Sequence, residues 1–310
     1  VSVYHKEKAD SLVLIGGGCA LDVGKAIAVM VNHPGDLFDY EDDMPGALPI
    51  YADKLPFIVA CPTTSGTGSE VGGSSVISDD ITKTKKIIWA ACLIPPVVLA
   101  DPELTFSLPA PITRAVGFDA LSHNLEAFLA KNYHPICDGI AMQGIKLIFN
   151  SLETAYKKPN DYTARKEMLL ASMMGAIAFQ KGLGVTHSCA HALSTVYDTH
   201  HGLANAMMII PCMEFNMPHC LERFATLSNL LELGGSTPEE KATRFIQKMS
   251  ELHKRLEFPK SLAELGYSYT DKLAKIAIVD PCHGNNPISV TEQNFVQLFG
   301  RAWESSLTSL

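Results

Sequence analysis

The spacing of apolar residues changes character near residue 101. Before that point, short apolar runs of strand length at residues 11–15, 55–61 and 96–100 each end at a turn rich in glycine, hydroxyl or proline. After it, apolar positions recur at helical spacing, which predicts helices at 115–130, 140–156, 163–180, 187–197, 221–231, 238–255, 269–278 and 291–304. A further helix is predicted from Leu21 to Val31, with Asp22 in its first turn. Thr237 with Glu240 and Ser289 with Glu292 have the capping-box spacing of a hydroxyl followed three residues later by a glutamate. The chain thus reads as an α/β domain over residues 1–104, followed by an all-helical domain over 105–310. No internal repeat or low-complexity linker interrupts it.

The first two strands lead into loops suited to a phosphorylated ligand. Gly16-Gly17-Gly18 stands between a strand and a helix, where free backbone N–H groups and the positive end of the helix dipole favour an anion. It is neither G-x-G-x-x-G, because Leu21 takes the third glycine position, nor a Walker loop, because Cys19 breaks that spacing. The second strand opens into Pro62 to Glu70, a stretch carrying Thr63, Thr64, Ser65, Thr67 and Ser69 with two glycines. Two such loops at the carboxyl ends of strands fit the rule for ligand sites in open α/β sheets.

The helical part holds a different chemistry. Asp119 with His123, and His187 with His191, are pairs four residues apart that share a helix face, and His201 follows. Imidazole and carboxylate are ligands for iron or zinc, and two polar pairs on apolar helices need something to satisfy them. Three imidazoles and a carboxylate leave a coordination position free for Lewis-acid chemistry.

Composition narrows the function classes. At 310 residues the chain can bury a large core, and a net charge of −8 offers no broad basic surface for nucleic acid or an anionic membrane. No apolar run reaches membrane-spanning length, and the first ten residues are too polar for a signal peptide. The eight cysteines form no CxxC pair, so reduced thiols and a cytoplasmic location are expected.

Together these segments resemble the iron-dependent (group III) alcohol dehydrogenases. The resemblance runs over nearly the whole chain, through the Gly16–Lys25 turn, the 62–70 loop, Asp101-Pro102-Glu103-Leu104, Gly117 to His123, Gly182 to His191, and His201 to Asn205. It implies a dehydroquinate synthase-like fold, an α/β nucleotide-binding domain followed by an all-α metal-binding domain. It further implies Fe²⁺ or Zn²⁺ held by Asp119, His123, His187 and His201, with His191 beside the nicotinamide and outside the ligand set. NAD or NADP would lie against Gly17, Gly18, Asp22, Thr63, Thr64, Thr67, Ser69 and Lys85, with Lys86 as the alternative register.

Hydride would pass between the nicotinamide and a small alcohol or aldehyde, with His191 relaying the alcohol proton. Cys19 replaces the usual serine, and Ser122-His123-Asn124 replaces the commoner Thr-His-Ala. Family members carry several dozen residues before the glycine turn, where fifteen stand here. The nucleotide-binding sheet is accordingly expected to be partly missing, and the residue that separates NAD from NADP lies in that part. A homo-oligomer, such as a dimer, is implied by the same resemblance. The competing readings are a metal- and NAD-dependent cyclase resembling dehydroquinate synthase, a polyol dehydrogenase resembling glycerol dehydrogenase, and an inactive fragment. The first lacks the expected basic cluster for phosphates, and His123 favours the iron pattern over the second.

Overall fold

A computed structural model describes residues 1–42, 44–79, 81 and 84–304. The strands β1 (Ser11–Gly16), β2 (Phe57–Pro62) and β5 (Val97–Val98) form a parallel sheet in the order β1-β2-β5. After a short α1 (Ser2–Lys6), β1 passes through Gly17 into α2 (Gly18–Met30), whose Leu21 and Ala28 pack on Leu14, Ile58 and Ala60. Because α2 starts at Gly18, Asp22 falls in its second turn, correcting the expected first-turn position. Gly24 lies where a Cβ would come within 2.3 Å of Leu14, so this helix can approach the sheet closely only with glycine there.

The register of β1 against β2 decides where the two loops emerge. Gly16 pairs with Pro62, and the Thr63 amide donates to the Gly16 carbonyl at 2.9 Å. Both loops therefore leave the sheet side by side.

A β-hairpin, β3 (Ser74–Asp79) with β4 (Thr84–Trp89), follows the second loop and packs on α2. Sequence periodicity assigns no element there, because serine and lysine interrupt the apolar alternation on both arms.

From Ala110 onward, among the described residues, the chain is helical. The main helices are α3 (Ala110–Leu129), α4 (Pro135–Lys157), α5 (Tyr162–Ala178), α6 (Val185–Tyr197) and α7 (His201–Asn216). They continue as α8 (Leu221–Leu230), α9 (Pro238–Arg255), α10 (Lys272–Val279) and α11 (Glu292–Glu304). One apolar cluster joins α3 through α11. Helix α7 has no counterpart among the predicted elements, since Pro211 sits inside it and reads as a break.

At α9 the Thr237 hydroxyl accepts from the Glu240 amide at 3.2 Å, as the spacing predicts, although the Glu240 carboxylate returns to Ser236 rather than to Thr237. The second expected box is corrected: α11 is capped by Thr291, which accepts from Asn294, and not by Ser289. No single helix among the described residues is long and apolar enough to cross a membrane.

Helix α3 is buried around nearly its whole circumference from Ala115 to Leu129, which explains how Asp119, His123 and Glu126 come to lie in the interior. Gly117 and Gly144 let α4 come close: a Cβ at Gly117 would stand 2.2 Å from Leu152. The apolar face of α3 is thereby wedged among α4, α5 and α7, and its polar residues are held at fixed depth.

Candidate active site

Asp119 and His123 project from α3, His187 from the first turn of α6, and His201 opens α7. One ligand-type atom from each lies within 4.8 Å of the others, so the four can hold a single metal ion. Asp119 Oδ1 is the hub, at 3.4 Å from His201 Nε2 and 3.9 Å from both His123 Nε2 and His187 Nε2. His187 Nε2 is buried without a hydrogen-bond partner, the orphan that a cation would satisfy. The chemistry of the set fits iron or zinc equally.

Charges around the cage suit a ligand set. Burial lowers the His123 pKa to about 4 and pushes that of His201 well below its ordinary value, so both rings stay neutral and can donate lone pairs. His187 is different. Burial alone would lower its pKa, but Glu126, whose Oε2 accepts from His187 Nδ1 at 2.7 Å, outweighs burial and raises it.

Burial likewise pushes the Glu126 carboxyl up, and the hydrogen bonds from His187, Thr186 and Gly184 overcome this and hold it below its usual range. Glu126 thus fixes the tautomer and the ring of His187, leaving Nε2 for the cage. Asn205 does the same on the other side by donating to Asp119 Oδ1 at 2.8 Å, with its amide 3.2 Å from His201 Nε2.

His191 stands outside this set, as the resemblance implies. It forms a second cluster with Asp280 and Cys282, and its Nδ1 lies 2.7 Å from Asp280 Oδ2. Asp280 also accepts from Ser188 Oγ and the Cys282 amide. Burial would raise this carboxyl, but His191 and the other donors hold it far below its ordinary value. The His191 ring is stacked at 5.2 Å from His201, beside the cage rather than in it.

The cage opens on a cavity of about 760 Å³ between the α/β and helical parts. Asp119, His201 and Gly202 line one wall; Gly17, Gly18, Thr64, Thr67 and Lys85 line the other. The glycines fit closely against the threonines they face, since a Cβ on Gly17 would stand 3.1 Å from the Thr64 hydroxyl and one on Gly18 2.7 Å from that of Thr67. This is a cradle of backbone and hydroxyls that a side chain would fill.

Three of the predicted cofactor contacts are not brought to the cavity. Ser69 donates to Asp22 Oδ1 at 2.6 Å, so these two are spent on each other, and Thr63 is not among the lining residues. Lys85 lines the cavity, whereas Lys86 does not and pairs instead with Glu41 and Asp79, which separates the two registers. Sequence reasoning missed Glu126, Asn205 and Asp280. Only Glu126 left a signal, a lone charge in the apolar run from Leu125 to Leu129.

Comparison with known proteins supplies the family. Residues 1–102 match the model for "Iron-containing alcohol dehydrogenase" and residues 113–303 that for "Fe-containing alcohol dehydrogenase family, C-terminal". The chain is 38% identical to a 4-hydroxybutyrate dehydrogenase of Cupriavidus necator, over 92% of this chain and 75% of that protein. It is 36% identical to an NAD-dependent methanol dehydrogenase of Bacillus methanolicus, over 97% and 79%. Among solved structures, a 1,3-propanediol oxidoreductase superposes with a TM-score of 0.92 at 34% identity, covering 97% of this chain and 79% of that one. The expected α/β region followed by a helical domain is the architecture these proteins share, and hydride transfer, not cyclisation, is the chemistry their names describe. With two residues of the four-residue cage, Asp119 and His201, lining one cavity with the glycine cradle, the inactive-fragment reading has no support. The chain belongs to the iron-containing alcohol dehydrogenases, metal-dependent oxidoreductases that move hydride between a nicotinamide cofactor and an alcohol or aldehyde.

Proposed function

We propose that this chain oxidises a short primary alcohol, and reduces the matching aldehyde, with Fe²⁺ held by Asp119, His123, His187 and His201. The observation that carries the reading is the convergence of these four groups, one of them with an orphaned buried nitrogen, at a point where two of them, Asp119 and His201, line the same cavity as the glycine cradle. The relatives support the substrate class, since they include methanol, 1,3-propanediol, butanol and 4-hydroxybutyrate dehydrogenases.

In this reading the metal supplies Lewis acidity toward the substrate oxygen, and the nicotinamide gives or takes the hydride. The protein's own residues do the rest. Thr64 and Thr67 hydroxyls and the Gly17–Gly18 backbone hold the cofactor phosphates, with Lys85 near their charge. Asp280 holds His191 through Nδ1, so that Nε2 is free to accept the alcohol proton and pass it to solvent. Glu126 keeps His187 aimed at the cage.

The labour divides between residues 1–104, which carry the cofactor, and 105–310, which carry metal and substrate. Relatives named for NAD and for NADPH both occur, so both cofactors are tested. A cytoplasmic homo-oligomer is the accompanying proposal, checked by light scattering on the purified protein.

The test is elemental analysis of anaerobically purified protein, followed by nicotinamide absorbance with a series of short alcohols and aldehydes. One iron per chain and a metal-dependent absorbance change are expected. Stoichiometric zinc would move the metal assignment, and protein that holds neither metal nor any such activity would sink the reading.

A further inference from the structure

Lys25 is completely buried, yet among the described residues no carboxylate lies within hydrogen-bond distance of its ammonium. Four oxygens surround Nζ instead: the Ser69 carbonyl at 2.6 Å, the Gly72 carbonyl at 2.7 Å, the Ser74 carbonyl at 2.9 Å and the Ser69 hydroxyl at 3.0 Å. A buried ammonium is costly unless its donors are used, and here all three have acceptors. Every acceptor belongs to residues 69–74, the end of the hydroxyl loop and the segment that follows it. The other end of the contact is α2, about two turns beyond the Gly18 that faces Thr67.

That segment has little else to hold it from this side. No residue between Thr63 and Gly73 joins any of the hydrophobic clusters. Its far side fits by close approach of glycine: Gly66 sits against Val116 of α3, and Gly68, in the left-handed region at φ +63°, against Ser172 and Ala176 of α5. On the α2 side the fixings are polar. Asp22 accepts from Ser69 Oγ and from the Val76 amide, Ser75 Oγ donates to the Asp22 carbonyl, and Lys25 fills the centre.

We infer that Lys25 is a positioning residue for the cofactor: its buried ammonium pins residues 69–74 to α2 and so sets the Thr64 and Thr67 hydroxyls over the Gly17–Gly18 backbone. It does not touch the cavity itself. The inference rests on the proposed cofactor site, which the same experiment checks separately.

The experiment titrates NAD⁺ and NADP⁺ into metal-loaded wild type, Lys25→Met and Ser69→Ala by fluorescence. It is paired with elemental analysis, steady-state kinetics and hydrogen exchange. Lys25→Met keeps the length of the stem and removes the donors. Its Kd and KM for the nicotinamide should rise about tenfold or more, with kcat at saturation within about threefold, as expected when a distant change shifts a binding group.

Metal content should stay at the wild-type level, because all four cage residues stand on α3, α6 and α7. Amides of residues 63–74 should lose protection while those of α6 and α7 do not, a local effect that general destabilisation would not give. Ser69→Ala, which removes one acceptor and the Asp22 partner, should show the same pattern at roughly threefold, and it decides the matter if Lys25→Met does not fold. Unchanged nicotinamide affinity in the folded variants would overturn the inference and leave the cofactor site standing. So would a parallel loss of metal and cofactor. Wild type that binds neither nicotinamide would remove the cofactor site and the inference together.

Discussion

In the helical part, the groups of the proposed cage stand on helices that share one apolar cluster running from α3 to α11, and Asp119, His123 and His187 are almost wholly inaccessible. In the α/β part, two small clusters support the sheet and α2, while Val13, Ile15, Phe57 and Leu99 on the sheet are each more than half exposed. The proposed cofactor cradle there is fixed by strand register and by buried polar contacts. One half holds its chemistry by packing and the other by hydrogen bonds, so the two should fail differently. Packing errors spread through a close-packed core, whereas loss of a polar pin is felt where the pin was.

The largest expected effect lies at the cage. His187→Ala should abolish stoichiometric metal binding and lower kcat/KM by at least about a thousandfold, because it removes both a ligand and the partner of the buried Glu126. Metal analysis beside steady-state kinetics checks this, and retained metal would refute the ligand assignment.

Next comes Phe118→Ala. Phe118 is fully buried on α3, edge-on to Phe258 at 4.9 Å, and its truncation should cost about 3–5 kcal/mol in denaturant unfolding. Ile58→Ala in the smaller cluster should cost less, about 2–3 kcal/mol, and shift nicotinamide affinity without changing metal content. Equal costs at the two sites would erase the contrast between the halves.

A pH experiment probes the same packing. Burial between Phe118 and Phe258 lowers the His253 pKa to about 4 from 6.5. Below the ordinary histidine value the unfolded chain takes up a proton that the folded chain refuses, so stability falls as pH drops from about 6.5 to about 4 and is unaffected by this group above that window. The loss approaches about 3 kcal/mol. His253→Phe should flatten that acid limb in denaturation midpoints measured across the window, and an unchanged limb would remove His253 from the account.

The smallest effect is expected at the rim of the cradle. Lys85 lines the cavity but is exposed, so Lys85→Ala should raise the nicotinamide KM by only about threefold, an effect that shrinks with added salt. A loss as large as that expected of Lys25→Met would show that surface charge, rather than a buried pin, dominates cofactor binding.

How much of this was legible depended on range. The Asp119–His123 and His187–His191 pairs and the glycine turn announce themselves locally, since both signals are spacings within a few residues. The strands at β1 and β2 are equally local. The hairpin β3–β4 escaped because its arms mix serine and lysine with β-branched residues, and α7 because Pro211 reads as a stop. Asp280 is 89 residues from the His191 it holds, and no periodicity connects them. Asp22 and Ser69 sit beside the proposed cofactor-binding positions in sequence, yet the register of α2 turns them toward each other and Lys25. Sequence position identified the loop, and only packing distinguishes the residues that face the ligand from those that hold the loop in place.

The hydrogen bond between Glu126 and His187 also determines how the cage titrates as it fills. Between the depressed pKa values of His123 and His201 and the raised one of His187, those two rings are neutral, and His187 is the member of the four-residue set that favours the doubly protonated form. Capture of a divalent ion at the proposed cage in that range would displace this proton from Nε2. Metal uptake should therefore become tighter with rising pH with a slope near that of a single proton, about tenfold per pH unit. A cage of three solvent-exposed imidazoles would give a steeper dependence below their common pKa. By committing a carboxylate to one ring and holding the other two neutral, the fold would make loading of the proposed cage a one-proton exchange.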